Sequence, residues 1–294
     1  MKTRNSGLVL IDKPQGLTSQ QAVARVRHAL GGVRAGHTGT LDPFATGLLI
    51  VLTGRATRLA PFVADEPKEY EATFRFGAET DTDDATGQVV RTAGPPAPAV
   101  VGKALTSLTG EIEQVPPAYS AKQVGGVRAY SRARAGAPLE LPPVTVRVHS
   151  IEIVRQTETE LRTRIVCSGG TYIRALARDV GRLTKSAAHC ATLRRLRCGP
   201  FSVKQAVLPD AAQPEDVLAP LAALPDFPVQ RLAADAALGV LNGRATDAVV
   251  AGDWAALVRD EDELLAIAQR EGDQWQPRVV VAAPLLEERP SLPQ

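Results

Sequence analysis

From Tyr70 to Phe76 the chain alternates without a break: Tyr70, Ala72, Phe74 and Phe76 are apolar, while Glu71, Thr73 and Arg75 are polar. A period of two marks a strand with one dry face and one wet face, and a helix has no use for it. Alternation returns over Val144 to Val154, and Leu161 to Cys167 supplies another strand. Segments of helical period lie between them. Thr18-Ser19-Gln20-Gln21 reads as a capping box, with Thr18 as N-cap and Gln21 at N3. Ala22, Val23, Val26, Ala29 and Leu30 follow at helical spacing, and Gly31-Gly32 supplies the stop. After a glycine-rich loop from Gly36 to Gly47, Leu48 to Leu52 reads as a buried strand. Gly169-Gly170 leads into a helix with Ile173, Leu176, Ala177 and Val180 on one face. Strands and helices mix without the regular βα repeat of a parallel sheet. The expected fold is therefore α+β: a mixed, mainly antiparallel sheet flanked by helices.

A chain of 294 residues suggests one large domain and a smaller one. Pro209 to Pro228, rich in Pro, Ala and Asp, reads as a linker region. Beyond it, the short apolar runs Ala255–Val258, Leu264–Ala268 and Arg278–Ala282 suggest a small, mostly β domain. The expected division is 1–225 and 226–294. Charge divides the same way: the first part carries 28 Lys/Arg against 20 Asp/Glu, the second 6 against 12. The most basic stretch is 171–204, with eight Lys/Arg and one acid, Asp179. A clustered basic region suits a polyanion such as RNA, although a solvated basic face is the commoner meaning of such a run.

Other classes are excluded on residue grounds. Three cysteines, Cys167, Cys190 and Cys198, with no CxxC pair, argue against a disulfide framework or a zinc cluster. Neither a GxxxxGK[ST] loop nor a GxGxxG after a strand is present, so no cofactor is expected. Asp81-Thr82-Asp83-Asp84 lacks the EF-hand pattern and reads as a solvated turn. The polar start, Met1 to Gly7, and the brief apolar run Leu8 to Ile11 do not make a signal peptide. No stretch approaches the ~20 apolar residues of a membrane helix. A cytoplasmic, monomeric protein without membrane contact is expected.

Two segments carry candidate chemistry. In Gly36-His37-Thr38-Gly39-Thr40-Leu41-Asp42-Pro43, the glycines permit unusual backbone or close approach. Pro43 fixes its own φ and biases Asp42 away from the helical region. Asp42 is thus held on a stiff, extended loop, or else merely caps the next element. In Cys167-Ser168-Gly169-Gly170-Thr171-Tyr172-Ile173-Arg174, Arg174 falls in the first turn of a helix. A cation there opposes the helix dipole by ~0.3–1 kcal/mol. Such a placement calls for a compensating anion, a carboxylate or an RNA phosphate. Arg178 and Arg182 continue the stripe at i+4 spacing.

These segments belong to a set of blocks in fixed order: Asp12-Lys13-Pro14-Gln15-Gly16-Leu17-Thr18-Ser19, the Gly36–Pro43 loop, Lys68-Glu69-Tyr70, Thr80-Asp81-Thr82-Asp83, Pro117-Ala118-Tyr119-Ser120-Ala121, Gly170-Thr171-Tyr172-Ile173-Arg174 and Leu193-Arg194-Arg195-Leu196. Together they resemble the signature blocks of the TruB family of tRNA pseudouridine synthases, and the resemblance spans essentially all of residues 7–200.

The resemblance implies an isomerase that converts uridine 55, in the T loop of tRNA, to pseudouridine without metal or redox cofactor. It gives Asp42 the role of catalytic carboxylate and Arg174 that of its partner. Tyr70 would stack on the target base or act as a base. His37 would help extrude the nucleotide, Tyr172 and Leu193 would contact substrate, and Lys13 and Arg194 would approach the RNA backbone. Residues 226–294 resemble a PUA-like domain. Its acidic balance means that it adds little RNA affinity or that its arginines gather on one face. The chain departs from the family pattern at Ala121–Gly126, where Lys122 precedes Gln123. The competing readings are a non-catalytic tRNA-binding or folding factor and an RNA-guided synthase subunit. The absence of Lys-rich terminal extensions speaks against the latter.

Overall fold

A computed structural model describes residues 6–63, 66–119, 123–124, 127–128 and 141–282. Lys122 and most of the 119–143 region, including the departure noted above, lie outside the described residues.

In chain order the first elements are β1 (Gly7–Lys13), α1 (Ser19–Ala29), β2 (Ala35–Thr38), β3 (Thr46–Thr53), β4 (Lys68–Phe76), β5 (Ala78–Thr80) and β6 (Val89–Thr92). Then come α2 (Pro98–Ser107), β7 (Gly110–Gln114), β8 (Gln123–Val124), β9 (Val127–Arg128), β10 (Val144–Gln156), β11 (Glu160–Cys167), α3 (Ile173–Leu183), β12 (Ala188–Cys198) and β13 (Phe201–Ser202). The last part holds β14 (Val229–Arg231), α4 (Ala234–Leu241), β15 (Thr246–Asp247), β16 (Trp254–Arg259), β17 (Glu263–Glu271) and β18 (Gln274–Val280).

The main sheet runs β1-β3-β12-β4-β11-β10-β7, with β2 on β3 and β13 on β12. Every pair is antiparallel except β3 with β12, so the sheet is mixed and mainly antiparallel, as expected. The alternation of β4 is realised residue by residue: Lys68, Tyr70, Ala72, Phe74 and Phe76 are buried, and the residues between them are not. On that buried face Tyr70, Phe74, Leu161, Ile165 and Leu193 pack against Ile173, Leu176, Ala177 and Val180 of α3. The α1 capping box forms as read, with Thr18 accepting from the Gln21 amide.

One glycine is required by a close approach. Gly47 has φ +101°, and a Cβ there would stand 2.2 Å from the Arg195 carbonyl oxygen, where parallel β3 and β12 meet. Strain and backbone clash add. Gly47→Ala is expected to cost roughly 2–4 kcal/mol in urea unfolding; an unchanged midpoint would contradict this account of the strand junction.

Three expectations are corrected. The glycine-rich segment begins as a strand, because Ala35–Thr38 pairs with Thr53–Ile50 of β3. Pro209–Pro228 is no loose linker. Leu218 exchanges backbone hydrogen bonds with Leu8, and Ala212, Val217, Ala223 and Leu224 are buried. Asp81–Asp84 is no solvated turn either, since Asp83 and Asp84 are buried, as is Glu79. Arginines from α3 account for that burial, as described below.

β5 pairs with β6 and β8 with β9 as two small ribbons, and the last five strands form a second sheet, β14-β16-β17-β18-β15, with α4 packed on it. It does not stand alone. Ala256, Val258, Leu264, Ile267 and Val281 share one core with Leu8, Leu48, Ile50, Leu52 and Leu59 of the first part. Among the described residues, no helix is long and apolar enough to cross a membrane.

Candidate active site

Asp42 ends a loop that the first sequence block holds from below. Ser19 Oγ accepts from the Leu41 amide and donates to the Leu41 carbonyl, both at 2.9 Å. The Pro43 carbonyl accepts from the Gly16 amide at 2.8 Å. Arg195 donates to the Gly39 and Leu48 carbonyls at 2.8 and 2.7 Å. Fixed by these contacts, the Asp42 carboxylate reaches Arg174 on α3. Arg174 Nη2 donates to Oδ1 at 3.2 Å, and Nε lies 2.9 Å from Oδ2.

Arg174 is 3% exposed, so it does not snorkel. The anion its position called for is a carboxylate, and there are two. Asp84 Oδ2 stands 3.5 Å from Nη1. Asp84 Oδ1 meanwhile accepts from the Thr86 amide and from the hydroxyls of Thr82 and Thr86. Carbonyl oxygens of Thr82 and Tyr119 take further donors of the guanidinium. Two charge-assisted contacts outweigh the dipole's ~0.3–1 kcal/mol. The ladder continues outward along α3, with Arg178 on Asp83 at 2.8 Å and Arg182 on Glu79 at 2.5 Å. Much of the basic 171–204 stretch is therefore consumed internally, and it is not the open polyanion surface its charge count suggested.

Around Asp42 lies a pocket of about 220 Å³ whose walls include Tyr70, Tyr172, Arg174, Leu193 and Arg195. That is smaller than the roughly 300–1,000 Å³ of a drug-sized site and suits one flat base. Tyr172 is positioned through its backbone: the fully buried Gln114 amide bonds both its N–H and its carbonyl. A larger cavity of about 900 Å³ lies beyond the ladder, where Glu79, Asp81, Asp83 and Asp179 line it. Those carboxylates make it a poor seat for a polyphosphate.

Burial raises the Asp42 pKa above the ordinary carboxylate value, even though its side chain keeps 35% exposure toward the pocket. Asp84 adds to the rise, while Arg174 and Lys13 oppose it. Burial likewise pushes Tyr70 up to about 12. His37 is lowered by burial and by the nearby Arg195 cation.

Five of the expected residues, Asp42, Tyr70, Arg174, Tyr172 and Leu193, meet at one pocket. Three do not line it. His37 sits on β2, partly buried, and its Nδ1 has no partner among the described residues. Lys13, expected at the RNA backbone, is completely buried instead; it donates to the Pro14 and Leu17 carbonyls, and burial lowers its pKa to about 8. Arg194 makes a two-pronged pair with Asp12 at 2.9 and 2.7 Å, so its charge is already matched. Sequence reasoning overlooked Arg195, Asp84, Ser19 and Gln114. Arg195 was within reach: in β12 it shares the inward face with Leu193, two residues back, while Arg194 faces the other way.

Comparisons with known proteins bear on the family and the fold. The family model described as "TruB family pseudouridylate synthase (N terminal domain)" matches residues 27–173. A protein named tRNA pseudouridine synthase B from Thermobifida fusca is 42% identical over 288 residues, covering 94% of this chain and 98% of that protein. One of the same name from Bordetella avium is 45% identical, covering 78% and 96%. Among solved structures, an H/ACA RNP bound to a substrate RNA containing 2'-deoxyuridine has a chain that aligns with TM-score 0.72 at 22% identity. The alignment covers 96% of this chain and 87% of that one. That likeness establishes the fold.

Proposed function

This chain belongs to the TruB family of pseudouridylate synthases and is an isomerase of tRNA uridine; from that premise we propose that it converts uridine 55, in the T loop of tRNA, to pseudouridine, with Asp42 as the catalytic carboxylate. The observation that carries the assignment is an Asp42 carboxylate at the wall of a base-sized pocket, bridged by the buried Arg174.

The isomerisation breaks the C1′–N1 glycosidic bond, turns the uracil, joins C1′ to C5 and releases the C5 proton. No oxidant or reductant is consumed. A carboxylate serves as nucleophile only when ionised. Burial works against that state and Arg174 opposes the effect of burial. With its pKa near 12, Tyr70 enters the reaction as a neutral phenol, which favours stacking on the base over accepting a proton at neutral pH. Leu193 and Tyr172 form further walls. His37, on β2 outside the pocket wall, is kept neutral by its lowered pKa and assists extrusion, since a stacked nucleotide must be flipped out at a cost of a few kcal/mol. The protein acts as a single chain in the cytoplasm, and residues 226–294 form its second domain.

The test uses tRNA transcribed with tritium at uridine C5. Release of tritium to water, with the product mapping to position 55 of the T loop, is expected. Efficient release that maps elsewhere would move the substrate assignment, and no release from any tRNA would remove it.

A further inference from the structure

At the far end of β3 from the catalytic pocket, Arg34, Arg55 and Arg58 surround a cavity of about 440 Å³ together with Ser6, Val33 and Gly54. All three side chains are exposed, and none has a carboxylate partner among the described residues. Among the other described arginines, Arg25, Arg75, Arg91, Arg162, Arg194 and Arg278 hold acids, whereas exposed Arg27, Arg147, Arg155 and Arg197 have no acid partner but line no pocket with further cations of that kind. Nor does the second sheet offer free cations in number. Arg231, Arg259 and Arg278 are tied to Asp262, Glu263 and Glu271, and Arg270 lies over the Trp275 ring.

The three arginines stand on the seam between the two sheets. Arg55 Nε donates to the Val281 carbonyl at 2.9 Å, and Arg58 Nη1 donates to that of Val280 at 2.7 Å. Each of these two spends one donor on the seam and keeps its other donors and its charge available; Arg34 has no side-chain bond among the described residues. The eight-residue β3 spans about 24 Å at ~3.4 Å per residue. Its near end pairs with Arg194 and Arg195 beside the pocket, and its far end adjoins Gly54 and Arg55.

We propose that Arg34, Arg55 and Arg58 form a phosphate-binding site for the tRNA backbone, at the opposite end of β3 from the catalytic pocket. This rests on the tRNA reading above. The length of β3 would carry the contact past the outer end of the short stem of an isolated T-arm hairpin, onto the rest of a full-length tRNA. The site explains how a protein whose second sheet is acidic still holds that end of a polyanion: the cations come from the first part and sit at the seam.

The experiment compares wild type with R34Q/R55Q/R58Q, measuring Kd against salt for full-length tRNA and for a T-arm hairpin, with tritium release from each. The variant is expected to bind full-length tRNA roughly 10–100-fold more weakly near 0.15 M salt, with the log–log salt slope reduced by about 2–3. Hairpin affinity and the single-turnover rate at saturation should not change. R34K/R55K/R58K should recover most of the affinity; equal losses in the Lys and Gln variants would show that the arginines act only as seam clamps, and would overturn the proposal. So would an unchanged slope, or an equal loss on the hairpin. Arg34→Gln, which removes no seam bond, should give about a third of the slope change. Wild-type tritium release separates the two readings, since its absence would refute the T-loop assignment while the salt slope still reports on the cluster.

Discussion

Asp42→Asn will release no measurable tritium from C5-labelled tRNA, with a single-turnover rate lowered by more than about 10⁴-fold and a tRNA Kd within about threefold of wild type. The substitution keeps the shape of the side chain and one acceptor oxygen for Arg174, so the loop anchored by Ser19 and Arg195 has no cause to move. Only the ionisable oxygen is lost. A binding surface built from other residues would scarcely register the change, and a nucleophile would be abolished. A residual rate within about tenfold of wild type would remove Asp42 from the chemistry. The wild-type pH profile adds an independent check. Because the Asp42 pKa is raised, its ionised fraction falls as pH drops through a value above that of a free carboxylate, and kcat/KM should fall with it on the acid side.

Arg174→Ala should lower the single-turnover rate by roughly 10²–10³-fold, the usual penalty for losing one preorganised electrostatic partner, with a much smaller effect on RNA affinity. It also leaves buried Asp84 without its cation, so a stability loss of about 3–5 kcal/mol is expected. Arg174→Lys separates the two effects. A lysine keeps the charge near both carboxylates and should restore most of the stability. It cannot span Asp42, Asp84 and the Thr82 and Tyr119 carbonyls together, so the rate should stay well below wild type. The acid limb of the alanine variant should move to higher pH, because the group that opposes the burial of Asp42 has gone. Unchanged single-turnover kinetics in both variants would sink the assignment.

How far these features could be read in advance depended on whether their cause was local. The capping box at Thr18, the alternation of β4 and the stripe of α3 obey short-range rules, and they appear where the rules put them. Helix α2 was missed, although Pro98 at its first turn and buried Val101, Ala104 and Leu105 at helical spacing were signals in the sequence. The acidic turn was misread for a different reason. Its carboxylates are dry because arginines about ninety to a hundred residues later, three on one face of α3, are delivered to them by the fold. Pairing of that kind leaves no trace in a window of ten residues. Lys13 shows the same limit: a lysine reads as a surface cation until its carbonyl partners are seen to enclose it.

The interior that joins the two sheets sets the terms on which this chain can be cut or varied. Val258, Leu264 and Ile267 of the second sheet are wall material for a room whose other walls are Leu8, Leu48, Ile50 and Leu59. Ending the chain ahead of β14 would not trim an appendage; it would leave that room open to water, beside the strand whose near end positions the catalytic loop. Surface loops of the second sheet are free to drift in sequence, but its footprint is not, and a graft from a relative should succeed only when it brings an inner face of matching volume.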